Sequence, residues 1–151
     1  MGLQGKMEVE VDIKSCGDVF HELWSTKPHH VSNIVPDKIH GCDVHEGDYG
    51  HVGSIILWTY THDGRKCTAK EEIEAIDEEN KLIRLKIIEG EILEEFKNFT
   101  CTIHVIDKGE ICGVKWIFEF EKIHDHGPYP TDLMDFAIGI TRDIESHHLQ
   151  A

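Results

Sequence analysis

Two hydrophobic periods follow one another along this chain, and their order constrains the fold more than any other feature. From residue 38 to residue 123 apolar side chains recur at every second position, the period of strands with one buried face. The run Val114-Lys115-Trp116-Ile117-Phe118-Glu119-Phe120-Glu121 is the plainest case, with Val114, Trp116, Phe118 and Phe120 on one side. Strands are expected over 38–46, 54–62, 65–76, 81–89, 95–106 and 111–123. The turn-forming strings His62-Asp63-Gly64-Arg65, Asp77-Glu78-Glu79-Asn80 and Asp107-Lys108-Gly109-Glu110 join them into an antiparallel meander. An earlier strand over 3–13 alternates Met7, Val9, Val11 and Ile13 with polar residues. Ser15 reads as the N-cap of a helix carrying Val19, Phe20, Leu23 and Trp24 on one face. Pro28 opens a second short helix to Ile34, stopped by Pro36.

After residue 123 the period changes to that of a helix. Pro130 and Thr131 start it, and Asp132 and Asp135 occupy its first turn, where the helix dipole favours acids. Leu133, Phe136, Ala137, Ile140, Ile144 and His147 then form one stripe. The order is β-αα-β6-α: an α+β fold in one domain, 1–151, with a curved antiparallel sheet and a long amphipathic helix lying across it.

Charge and cysteine usage bound the function. The 29 acidic and 15 basic side chains leave a net charge of −14, which repels phosphate backbones and anionic membrane surfaces, so nucleic acid is excluded as the main partner. No apolar run approaches the roughly 18 residues of a membrane span. The start Met1-Gly2-Leu3-Gln4-Gly5-Lys6 lacks the apolar segment of a secretory signal, and Lys6 stands where myristoylation needs Ser or Thr. Five cysteines, with no C-x-x-C pair, read as reduced thiols, and the expected location is cytoplasmic. Asn98-Phe99-Thr100 is a sequon in form only.

Three features invite a chemical reading. Gly47, Gly50 and Gly53 suggest a phosphate-cradling loop, but Ser54-Ile55-Ile56-Leu57-Trp58 after them reads as a strand, where phosphate binding needs a helix N-terminus; a tight turn is expected. Twelve histidines include His124-Asp125-His126, His29-His30, His147-His148 and the spaced set His40, His45 and His51. None supplies a four-ligand metal spacing, so neither a metal nor another cofactor is expected. No nucleophile constellation stands out and no catalytic residue is assigned. The inward faces set by alternation carry few ionisable side chains, Glu71 among them, alternating with Ala69 and Ile73.

Several strings carry a resemblance. These are Gly17-Asp18-Val19-Phe20-His21, the loop Glu46-Gly47-Asp48-Tyr49-Gly50-His51-Val52-Gly53-Ser54, Trp58-Thr59-Tyr60-Thr61, Val114-Lys115-Trp116 and Asp143-Ile144-Glu145-Ser146-His147-His148-Leu149. With the element order, they make the chain similar to the major latex protein family of plants, in the START-like superfamily of the birch pollen allergen and the class-ten pathogenesis-related proteins. The resemblance implies a helix-grip fold, seven strands wrapped around the last helix, enclosing a large apolar cavity for small hydrophobic molecules. It implies a carrier for a fatty acid, lysophospholipid, sterol or plant secondary metabolite, linked to defence or stress, working as a monomer or weak dimer. An enzyme acting on a bound natural product is the alternative, since some superfamily members catalyse alkaloid chemistry with a lysine, a tyrosine and acids. Ribonuclease activity is third; relatives linked to it have a lysine after the glycine loop, where this chain has Ile55-Ile56-Leu57. The expected cavity residues are Tyr60, Phe99, Ile103, Trp116, Phe118, Leu133, Phe136, Ala137, Ile140, Ile144 and His147. His147 is expected at the cavity end, meeting an anionic head group, with His148 turned about 100° away.

Overall fold

A computed structural model describes residues 3–150. Met1-Gly2, weighed above as a lipidation site, lies outside the described residues. Strand β1 (Gln4–Ile13) leads to α1 (Gly17–Ser25), then a 3₁₀ turn over Pro28–His30 that runs into α2 (Val31–Ile34). Six strands follow: β2 (Ile39–Glu46), β3 (Ile55–His62), β4 (Arg65–Asp77), β5 (Leu82–Gly90), β6 (Phe96–Asp107) and β7 (Cys112–Lys122). The chain then forms α3 (Thr131–Gln150). All seven strands join one antiparallel sheet in the order β1-β7-β6-β5-β4-β3-β2, so β1 crosses to pair with β7 while the others follow sequence order.

The alternation works as expected. Val11 and Ile13 of β1, Ile56, Trp58 and Tyr60 of β3, Ile83, Leu85 and Ile87 of β5, and Val114, Trp116, Phe118 and Phe120 of β7 are all buried on one face. The β3–β4 turn carries Asp63 and Gly64 at φ 52° and 73°, the two left-handed residues of a tight hairpin. Between β5 and β6 the chain makes a 3₁₀ turn, Glu91–Glu94, which alternation did not signal.

Two details of α1 differ from expectation. Cys16, not Ser15, is the N-cap, with extended backbone and no side-chain cap bond. The in–out alternation of β1 continues to Ser15, so its side chain is carried inward, where its hydroxyl has no hydrogen-bond partner. Val19 does not share the inner face: Phe20, Leu23 and Trp24 are buried, while Val19 is 46% exposed.

Helix α3 is anchored over its C-terminal half. Trp116 Nε1–H donates to Thr141 Oγ1 (2.8 Å), and that hydroxyl donates to Ala137 O (2.8 Å). Lys38 Nζ donates to Asp143 Oδ2 (2.7 Å), and Lys14 N–H to Glu145 Oε2 (2.6 Å). Gly139 serves the Lys38 contact: a Cβ there would come within 3.1 Å of Lys38 Nζ. The first turns of α3 are held by aromatic packing, with Phe136 5.8 Å from Tyr60 and 5.2 Å from His62 between ring centroids.

Candidate functional site

Between the inner face of the sheet and α3 lies an apolar cavity of about 100 Å³. Nine of the eleven residues expected there line it: Tyr60, Phe99, Ile103, Trp116, Phe118, Leu133, Phe136, Ala137 and Ile140. Alternation did not single out Trp24, Trp58, Ile39, Ile87, Ile92 or Cys101, which also line it. The signal was present in β3 and β5, since each inward position there belongs to the same face as Tyr60. The volume corrects one expectation, because small-molecule pockets commonly run about 300–1,000 Å³ and this cavity is narrower.

All three tryptophans of the chain reach the cavity. Trp24 lies 5.6 Å from Trp58 and 5.4 Å from Trp116 between centroids, nearly perpendicular to the latter. At the other end Phe99 lies 5.0 Å from Phe118. Such tilted and edge-on pairs bring ring edges against ring faces and hold the walls in place.

One carboxylic acid breaks this apolar lining. Glu71 on β4 is 8% exposed, and its Oε1 accepts the Trp58 Nε1–H bond at 2.8 Å. Register places β3 beside β4, with Ile56 opposite Glu71 and Trp58 two residues further along the same face, so the indole reaches back to the carboxyl. Burial pushes its pKa up to about 8 against the smaller downward pull of the indole, so the acid is mostly protonated at neutral pH. Among the described residues Trp58 is its only hydrogen-bond partner, which leaves Oε2 unpaired. Burial also pushes the Tyr60 phenol and the Cys101 thiol up, so both stay neutral.

A groove over the first turn of α3 adjoins this cavity and shares Tyr60, Ile92 and Leu133 with it. Asp63, Glu91, Glu94, Glu95 and Asp132 line the groove against one guanidinium, Arg65. Arg65 makes a two-pronged bond to Glu94 (3.0 and 3.2 Å), and Glu91 accepts the Thr68 N–H bond.

Two expected residues are not brought to the cavity. Ile144 is fully buried but packs in the core beyond it. His147 is exposed, in an outer groove with Val19, Leu23, Lys27, His30 and Ile34. Extending the stripe by period alone misplaced it, because Met134 and Thr141 are also buried and rotate the true inner face. At about 100° per residue, the centre of the buried set lies about 85° from His147 and about 15° from His148. His148 is accordingly half-buried, its Nδ1 has no partner, and burial holds its pKa below the ordinary imidazole value. His148 is thus turned further toward the core than His147, but both line the outer groove and neither reaches the cavity.

The glycine loop is a structural turn. Gly47, Gly50 and Gly53 have φ of 82°, 80° and 91°, and strand β3 follows. Tyr49 within it donates to Cys42 O (2.6 Å) and stacks on His29. Among the described residues no three metal-ligating side chains converge, and no helix is long and apolar enough to cross a membrane.

A seven-stranded sheet closed over a long helix around an apolar cavity defines a helix-grip ligand-binding scaffold. The profile of the pathogenesis-related protein Bet v 1 family matches residues 2–151. MLP-like protein 43 of Arabidopsis thaliana is 45% identical over 149 residues, covering 97% of this chain and 94% of that one. The crystal structure of ginseng major latex-like protein 151 from Panax ginseng superposes with a TM-score of 0.95 at 51% identity, covering 97% and 99% of the two chains. Norcoclaurine synthase from Thalictrum flavum, in complex with dopamine and hydroxybenzaldehyde, shares the fold alone, at 22% identity and a TM-score of 0.70 over 95% of this chain and 88% of that one. The chain belongs to the Bet v 1 family, in its major latex protein-like branch.

Proposed function

We propose that the protein is an intracellular carrier that shelters an apolar or amphipathic small molecule in the cavity beneath α3. The observation that carries this reading is a cavity lining of aromatic and aliphatic side chains that includes every tryptophan of the chain. The mechanism is desolvation. A ring-sized ligand burying about 200 Å² of apolar surface gains about 5 kcal/mol, less the cost of immobilising it. Sterols, long acyl chains and phenylbutyl compounds all exceed about 100 Å³, so they require Leu133 and Phe136, both half-buried, to swing away from β3. Reduced thiols, three of them buried, suit a cytoplasmic location. Titration of tryptophan emission with 4-phenylbutanol, alongside displacement of an anilinonaphthalene dye, tests the reading. A saturable shift with matching dye release supports it; unchanged emission and no release overturn it.

Glu71 favours one second reading, catalysis on a bound natural product, because a carboxyl poised near neutral pH in an apolar cavity is suited to proton transfer. Binding is the stronger reading. The other titratable lining groups, Tyr60 and Cys101, are both held neutral, so no base faces the acid across the cavity.

A further inference from the structure

We infer that the cavity and its mouth select amphiphiles carrying a basic nitrogen and turn away those carrying a carboxylate. The inference deepens the carrier reading and rests on it, naming the ligand class from two separate parts of the molecule.

The first is the approach. Asp63, Glu91, Glu94, Glu95 and Asp132 surround the mouth. Its single guanidinium is already engaged by Glu94, and His62 lies 3.9 Å from Asp63. An approaching cation is therefore attracted and an anion repelled before either reaches the interior. The second is the terminus. Among the lining residues there is no Lys, Arg or His, so a buried carboxylate would have no countercharge. Glu71 offers the opposite: a buried carboxyl with one oxygen on Trp58 and the other unpaired. The titratable groups whose charges would act on it are Cys42, Cys101 and Tyr60, each held neutral by burial, so no cation among the described residues neutralises a Glu71 carboxylate.

The chemistry of binding follows. A protonated amine, R–NH₃⁺, meets the Glu71 carboxyl, the O–H bond breaks, its proton leaves to solvent, and an ammonium–carboxylate pair remains in the cavity. One proton is released per amine bound. With the carboxyl titrating near pH 8, amine affinity rises about 50-fold from pH 6 to pH 8, while an alcohol of the same skeleton shows no such rise.

The test compares 4-phenylbutylamine, 4-phenylbutanol and 4-phenylbutyrate by titration calorimetry at pH 6, 7 and 8, in wild type and Glu71→Gln. Repeating the amine titration in buffers of different ionisation enthalpy counts released protons on wild type alone, independent of how the variant folds. At pH 8 the amine should bind at least tenfold more tightly than the carboxylate and release close to one proton at pH 7. Glu71→Gln should remove the pH rise for the amine. Alcohol binding with equal or stronger carboxylate binding, or amine binding without proton release, overturns the charge preference and leaves the carrier reading intact. Amine binding without alcohol binding sustains the preference and removes desolvation as the main driving force. No binding of any of the three overturns both.

Discussion

Replacing Glu71 by Gln should change not only the stability of the protein but the way that stability depends on pH. The amide keeps an acceptor for Trp58 Nε1–H and nearly the same volume, so the substitution removes the ionisation and little else. In the folded chain burial holds the carboxyl near pKa 8, against an ordinary value of 4.5. Between those values the native state binds more protons than the unfolded state, so stability falls as pH rises. The Glu71 contribution is complete below about pH 4.5 and is lost as pH climbs through about 8. At 1.36 kcal/mol per unit, the loss from pH 5.5 to 7.5 is about 2 kcal/mol. Other groups run the opposite way. Glu22, Asp77, Glu89 and Glu91 are held low by Lys27, Asn80, Lys70 and Thr68, and their contributions are already complete by pH 5.5. His29 and His148, lowered by burial, gain stability as pH rises through the imidazole range. These terms are common to both proteins, so the difference in unfolding free energy between wild type and Glu71→Gln isolates the one carboxyl. Urea unfolding followed by tryptophan emission at pH 5.5, 6.5 and 7.5 measures it. The variant should gain about 2 kcal/mol on wild type across that range. A difference that stays flat would mean that Glu71 is hydrated and ionises normally, and the electrostatic argument would fail with it.

Other expectations follow from individual contacts. Gly139→Ala should stabilise by about 0.5–1 kcal/mol in thermal unfolding, since helix propensity favours Ala and the crowded atom is the movable end of Lys38; destabilisation would show that the Lys38–Asp143 contact cannot yield. Thr141→Val should cost about 1–3 kcal/mol, because it leaves the buried Trp116 N–H without an acceptor; a neutral result in urea unfolding would assign that bond no weight. Protonating twelve histidines carries the formal charge from −14 towards −2, so light scattering should show larger particles as pH falls from about 7.5 to 5.5. A constant particle size would show that histidine charge does not control association.

How far the sequence discloses this molecule depends on whether a signal is local. Strand periodicity is local, and each expected strand lies within about a residue of the observed one at either end, as for 65–76 against Arg65–Asp77. The Glu91–Glu94 turn escaped because Gly90, at φ 133°, redirects the chain without any of the dipeptides that mark a hairpin. Glu71 was legible as an inward carboxyl, but its bond to Trp58 depends on the register between β3 and β4, which no single strand encodes. His147 failed for a related reason. A stripe drawn through the large apolar residues omits Thr141, whose burial comes from a hydroxyl bonded on both sides, and so the face was drawn too far round.

The uneven anchoring of α3 makes the helix a lever rather than a lid. Its fulcrum lies at residues 141–145, where three hydrogen bonds fasten it to β7, to the residue before β2 and to the end of β1. Its free arm is the stretch from Thr131 to Phe136, which rests on the apolar packing of Leu133, Met134 and Phe136 with, among the described residues, no side-chain hydrogen bond to the sheet, and stands beside the acidic groove. A small tilt about such a fulcrum opens the cavity at one end while the sheet stays still, so uptake and release would share a single direction. Amide hydrogen exchange faster in the free arm than around the fulcrum would register that motion, and uniform protection along α3 would exclude it. In the carrier reading, the Lys38–Asp143 bond would act on cargo exchange from a distance, since neither residue lines the cavity.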